Sequence, residues 1–131
     1  MISFFGNSLI FLSIVVTITI IYFSFQEVKN LNLIYPNKIR TFVLSQVTLV
    51  LMSFFTLISA YIVSDFSLIN VYQNSHSSKP LFYKISGVWG NHEGSLLLWI
   101  NILVLFSFIF YVLNYKHQKN FKLYTLIAQN F

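Results

Sequence analysis

The chain has 131 residues, of which 56% are hydrophobic, 19% aromatic and only 8% charged, with a net charge of +5. A soluble domain carries about 25% charged residues, so an ordinary cytosolic enzyme and a disordered regulator are both excluded. The absence of cysteine excludes a disulfide-stapled secreted domain. The chain belongs in a bilayer, and the fold class expected is an all-α, polytopic membrane protein forming one membrane domain over residues 1–131. A basic balance can signal nucleic acid. Here the cations flank apolar runs, which fits topology control, and no nucleic-acid partner is expected. The abundance of Phe, Ile, Asn, Lys and Tyr tracks AT-rich codons and suggests an organellar or endosymbiont genome.

In chain order, no charged side chain occurs between Ile2 and Phe25, between Thr41 and Val63, or between Ser95 and Tyr115. As helices these runs would be about 36, 34 and 31 Å long, each enough for a hydrocarbon core of roughly 30 Å. Three transmembrane helices are therefore expected over 2–25, 41–63 and 95–115. The first run lacks a basic leader and an Ala-x-Ala-like site before Gln26, and is read as a retained helix rather than a signal peptide. Segment 26–40 holds Lys29, Lys38 and Arg40, and the tail 116–131 holds Lys116, Lys119 and Lys122. Loop 64–94 holds only Lys79 and Lys84. That asymmetry puts the first loop and the basic tail inside, and the N-terminus and loop 64–94 outside.

Ser45, Gln46, Thr48 and Asn101 interrupt the apolar runs and are expected to face and bond neighbouring helices, with a substrate path as the lesser reading. The charge-free runs contain no His, Glu or Asp, so no intramembrane proton relay, metal site or haem ligand is expected within them. Segment 70–80 is polar loop, with Pro80 marking a turn or helix start. The stretch Leu123–Ala128 is too short to span; it could lie in the interface or begin a further helix.

The stretch Tyr83 to Trp99, YKISGVWGNHEGSLLLW, holds three of the four glycines, both tryptophans and the pair His92–Glu93. Asn91 suits an N-cap for the third helix, with Glu93 in its first turn where a carboxylate suits the dipole. Trp89, His92 or Glu93, Leu96 and Trp99 recur at helical spacing and would form one stripe. Each position admits two readings. Trp89 and Trp99 suit an aromatic belt or a flat platform for a planar ligand. His92 suits an interfacial hydrogen bond or a haem or metal ligand, although no second histidine stands at matching spacing. Glu93 suits a cap, a cation partner or a proton-transfer group. Gly90 and Gly94 suit close backbone approach or ligand access. His76 and His117 stand in polar segments and carry little. Nothing forms a Ser-His-Asp set, a phosphate loop or a catalytic carboxylate pair, so catalytic residues stay unassigned.

The segment Pro80 to Trp99 resembles the N-terminal region of the CcmF/NrfE family, the haem lyase components of cytochrome c maturation. The family shows a Trp-Gly-Asn/Ser-His-Glu-Gly-Ser-x-Leu-Leu-Trp string just ahead of its third helix, and Trp89, Gly90, Asn91, His92, Glu93, Gly94, Ser95 and Trp99 match it. The resemblance implies a membrane subunit that helps attach haem covalently to apocytochrome c on the outer side. The family's tryptophan-rich WWD tract and its four haem-related histidines lie further along and have no counterpart here. The resemblance therefore implies an N-terminal subunit or fragment that is not catalytic alone. Its partners would be the remaining CcmF piece carrying the WWD tract, a haem chaperone and apocytochrome c. Haem would be handled by the assembled complex, with direct contact by this chain left open. The mitochondrial inner membrane is the first location, and a bacterial inner membrane the alternative. A small structural subunit of a respiratory complex is the rival reading; a transporter fragment is disfavoured by the absence of interrupted helices and midplane charges.

Overall fold

A computed structural model of the chain describes residues 2–29, 36–113 and 119–130. These residues form six helices: α1 (Ile2–Lys29), α2 (Pro36–Val63), α3 (Ile69–Asn74), α4 (Leu81–Gly87), α5 (His92–Leu113) and α6 (Lys119–Asn130). Three of them, over Ile2–Lys29, Lys38–Val63 and His92–Val112, are long and apolar enough to cross a membrane. The protein is an all-helical integral membrane protein among its described residues, and the loop between the second and third spans is itself structured by α3 and α4.

The helix ends fall outside the charge-free runs because a helix need not stop where hydrocarbon stops. α1 runs on to Lys29, which carries Glu27 onto its packed face, 5% exposed. Glu27 shares its electrostatic neighbourhood with Tyr111 of α5 and Arg40 of α2. A carboxylate that the charge pattern put in a loop is thus part of the helix bundle. α2 begins at Pro36, where the missing amide hydrogen costs nothing and the fixed φ suits a first turn. α5 begins at His92, three residues before the charge-free run. Residues 114 and 115 of the expected third span, and Lys116 and His117, lie outside the described residues.

The C-terminal end of α2 closes in a Schellman arrangement, with Asp65 N donating to Ala60 O (2.9 Å) and Ser64 N to Tyr61 O (3.2 Å). Ser64 holds the left-handed position with φ 58°, where glycine is the commoner choice. The Lys84 Nζ donates to Ser64 Oγ (2.7 Å), which ties α4 to this turn.

α1 and α2 pack antiparallel. Near the loop end Gly6 faces Thr56; further along, Gln46 Nε2 donates to Thr17 Oγ1 at 2.8 Å. Two apolar clusters hold the ends together. One gathers Ile20 of α1, Ile39 and Val43 of α2, and Leu123 and Leu126 of α6. The other gathers Ala60 and Tyr61 of α2 with Val71 of α3 and Val88 just after α4. α6 is the element that sequence left open. Leu123 and Leu126 stand three residues apart and bury one face, so the helix turns back along α1 and α5. Its end is pinned by Gln46 Nε2 donating to Asn130 Oδ1 (2.7 Å) and by Gln129 Nε2 donating to Leu103 O (2.9 Å). Gln46 is therefore a bond between helices, as its position in an apolar run led one to expect. Asn101, 3% exposed, instead donates to Leu97 O of its own helix at 2.8 Å.

Candidate functional site

The Trp89–Trp99 string spans the turn from α4 into α5, and it is built around Asn91. The Asn91 Oδ1 accepts from Gly94 N at 2.7 Å, the side-chain bond of an N-cap, while Ser95 N donates to Asn91 O at 3.0 Å to open the helix ladder. The Asn91 Nδ2 faces the other way. It lies within hydrogen-bonding range of Gly87 O (3.0 Å), Val88 O (3.0 Å) and Tyr61 Oη (2.7 Å), so it also satisfies the last carbonyls of α4. One amide side chain joins the end of one helix, the start of the next and the packed face of α2.

Asn70 of α3 completes the network. The Tyr61 hydroxyl donates to Asn70 Oδ1, and Asn70 Nδ2 donates to Asn91 Oδ1 (3.1 Å) and to Glu93 Oε2. Asn74 Nδ2 donates to Asn70 O at 2.9 Å. Tyr61 is fully buried and Asn70 is 8% exposed, so the bonds form where water does not compete and where an unmade bond costs most. Neither residue stood out in the sequence. Tyr61 lies in a charge-free run and Asn70 in a polar loop, 21 residues before Asn91. No short-range spacing signals such a pairing.

Gly94 is required by space. A Cβ there would sit 1.6 Å from Val88 O and 2.8 Å from Val88 C, both backbone atoms. No glycine holds a positive φ among the described residues, so close approach of chain to chain is the reason for this one. Gly90 differs. Its nearest neighbours would lie at 3.6 Å, an ordinary contact.

The other members of the string point away from the network. Trp89 is 43% and Trp99 60% exposed, and the His92 ring is exposed with no hydrogen bond among the described residues. His92 and Trp99 stand seven residues apart, two turns of α5, and share a face with Leu96. The Ser95 hydroxyl bonds back to His92 O at 2.9 Å. The string thus divides into Asn91, Glu93 and Gly94, which are held, and Trp89, His92 and Trp99, which are presented. Among the described residues no three His, Cys, Asp or Glu side chains gather as a metal site.

Beside Glu93 and Asn70 opens a cavity of about 310 Å³ between α1, α2 and α5, walled by Gly6, Ile10, Leu57, Leu97 and Ile100. Asp65, in the loop outside the spans, has its carboxyl held below the usual carboxylate range by hydrogen bonds from the Ser67 hydroxyl (2.6 Å) and backbone amide (3.2 Å).

No family model and no solved structure matches the chain. Several curated proteins do. The chain is 68% identical over 59 residues to the cytochrome c-type biogenesis protein CycK of Rhizobium meliloti, a match covering 45% of this chain and 9% of that protein. It is 60% identical over 68 residues to CycK of Bradyrhizobium diazoefficiens, covering 52% of this chain and 10% of the relative. It is 45% identical over 65 residues to the cytochrome c-type biogenesis protein CcmF of Haemophilus influenzae, covering 50% and 10%. Over about half its length the chain is similar to CcmF- and CycK-type cytochrome c biogenesis proteins, and it spans about a tenth of their length.

Proposed function

We propose that the chain, as one membrane unit, forms the N-terminal part of a CcmF-type haem lyase and supports covalent attachment of haem to apocytochrome c. The observation that carries this reading is the matched string, divided into a rigid hydrogen-bonded half and an exposed half. The His92 ring, between two exposed tryptophans, makes no hydrogen bond among the described residues, which leaves it free to meet a partner in this reading. The partner in this reading is the WWD-bearing part of the lyase, with a haem chaperone delivering haem and apocytochrome c receiving it. Haem is the substrate of the assembly. Each thioether forms when a cysteine thiol of the apocytochrome adds across a haem vinyl group, its proton passing to the vinyl carbon. This chain's contribution is to fix the start of α5, so that Trp89, His92 and Trp99 stand on one defined surface. The string lies on the outer side in this reading, with the cationic first loop and tail inside. The membrane is the mitochondrial inner membrane, with a bacterial inner membrane as the alternative.

The test substitutes His92→Ala and Trp89→Ala in the chain, expressed with its partner proteins, and measures holocytochrome c by haem staining. At least a tenfold fall in holocytochrome, with the chain still accumulating in the membrane, is expected from one or both. Wild-type holocytochrome from both variants would remove the functional claim for the exposed half.

A further inference from the structure

The cavity beside the hydrogen-bond network has the form of a lipid site. Its volume of about 310 Å³ lies at the lower end of small-molecule pockets, about 300–1,000 Å³. Its walls are the apolar side chains Ile10, Leu57, Leu97 and Ile100. The lining hydroxyls of Ser53 and Thr56 are spent on carbonyls of their own helix, Val50 O and Met52 O, at 2.7 Å each. Polar recognition therefore falls to Ser3 and Asn7 of α1 and to the loop end, where Asn70 and Glu93 enter the lining and Glu93 brings the one acidic group. Residues 93 to 100 of α5 run about 10 Å from that polar end into the bundle.

The depth matches an amphiphile. α5 is a candidate span from His92 to Val112, which puts Glu93 at the edge of the hydrocarbon and Ile100 well inside it. Glu93 makes no ion pair among the described residues. One of its oxygens takes the Asn70 amide, and the side chain remains exposed at the cavity. A carboxylate at that level attracts a cation with N–H donors and repels a phosphate.

We propose that this cavity binds one acyl chain of a glycerophospholipid whose primary ammonium headgroup donates to Glu93. The phosphate then points outward, and the chain lies against Leu97 and Ile100. The site shares Glu93 with the hydrogen-bonded half of the string but uses neither His92 nor Trp99, so lipid retention and holocytochrome formation can fail separately.

The experiment purifies the full chain into nanodiscs of phosphatidylethanolamine, phosphatidylcholine or phosphatidylglycerol mixtures, then counts retained lipids by native mass spectrometry. Phosphatidylcholine carries a quaternary ammonium with no donor, and phosphatidylglycerol carries no cation. Retention of about one phosphatidylethanolamine per chain, preferred about tenfold over phosphatidylcholine, is expected from one charge-assisted hydrogen bond. Glu93→Gln keeps an acceptor for Asn70 and should remove the preference, while Leu97→Trp should fill the cavity and remove retention of every lipid. Far-UV circular dichroism checks that both variants stay helical. Equal retention of the two lipids by the unsubstituted chain would overturn the proposal without recourse to any variant. So would a preference that survives Glu93→Gln, or the retention of no lipid at all.

Discussion

Replacing Gly94 by alanine adds one methyl group, and helix propensity alone would favour the change by about 1 kcal/mol. The local geometry reverses that sign. The new Cβ would lie 1.6 Å from Val88 O, and side chains essentially never come closer than 3.0 Å to such an atom, so the two backbones must separate by at least 1.4 Å. The separation cannot be absorbed by a rotamer, because both colliding atoms of Val88 are main chain. It must stretch the bridge made by Asn91, whose bonds to Val88 O and from Gly94 N measure 3.0 and 2.7 Å. Two bonds at about 1 kcal/mol each and overpacking strain of about 1–3 kcal/mol outweigh the propensity gain, leaving a net loss of about 2–4 kcal/mol. Gly90→Ala is the matched control, since its added Cβ meets nothing nearer than 3.6 Å and should change stability by less than about 1 kcal/mol. Unfolding of the full chain in detergent micelles by increasing dodecyl sulfate, followed by far-UV circular dichroism, measures both. Equal stability of Gly94→Ala and the unsubstituted chain, or equal losses at the two glycines, would refute the close-approach argument.

Asn91→Asp keeps the capping oxygen but loses the amide donor to Gly87 O, Val88 O and Tyr61; the same titration should show a loss of about 1–3 kcal/mol, where a pure capping role predicts almost none. Gln46→Leu gives up the bonds to Thr17 and Asn130 and should cost only about 1 kcal/mol, because helices in a membrane gain little per hydrogen bond; a loss above about 3 kcal/mol would show that the end of α6 organises the bundle. Asp65 should titrate below the usual carboxylate range in a carbon-detected pH titration, and Ser67→Ala should return it toward that range. Since its folded value is depressed, its contribution to stability is present above the unfolded value and fades as pH falls through the folded one.

The long apolar runs were legible because membrane insertion is a one-dimensional property: about 20 uncharged residues specify a span whatever they pack against. The ends of the helices were not legible by the same rule. Absence of charge marks the hydrocarbon, whereas a helix continues into the interface, which is how Glu27 came to lie within α1, while Glu93 falls in the first turn of α5 as the Asn91 cap led one to expect. The cap at Asn91 could be read locally, since it needs only an Asn followed by a helical run. The partners Tyr61 and Asn70 could not, because they meet Asn91 through the folding of α3 and α4 back onto α2. α6 was ambiguous for a similar reason. Twelve residues cannot span a bilayer, and only the groove along α1 and α5 decides that Leu123 and Leu126 turn inward.

The division of the Trp89–Trp99 string changes what its residues can be asked to explain. Asn91 and Gly94 have complete local reasons to be what they are: the one caps, bridges and bonds Tyr61, and the other makes room for a carbonyl. Loss of function on replacing either would therefore follow from loss of fold and would say nothing about haem. His92 has no such account among the described residues, since it stands exposed at the start of α5, whereas Trp99 two turns on lies in the span. Truncation of His92 should leave stability within about 0.5 kcal/mol of the unsubstituted chain, as for exposed positions generally. A fall in holocytochrome c at unchanged stability can then be assigned to what that face contacts. Glu93 belongs to both halves: one oxygen is fixed by Asn70, and the side chain still reaches the cavity. Glu93→Gln separates the two roles, because the amide keeps an acceptor for Asn70 and discards only the charge.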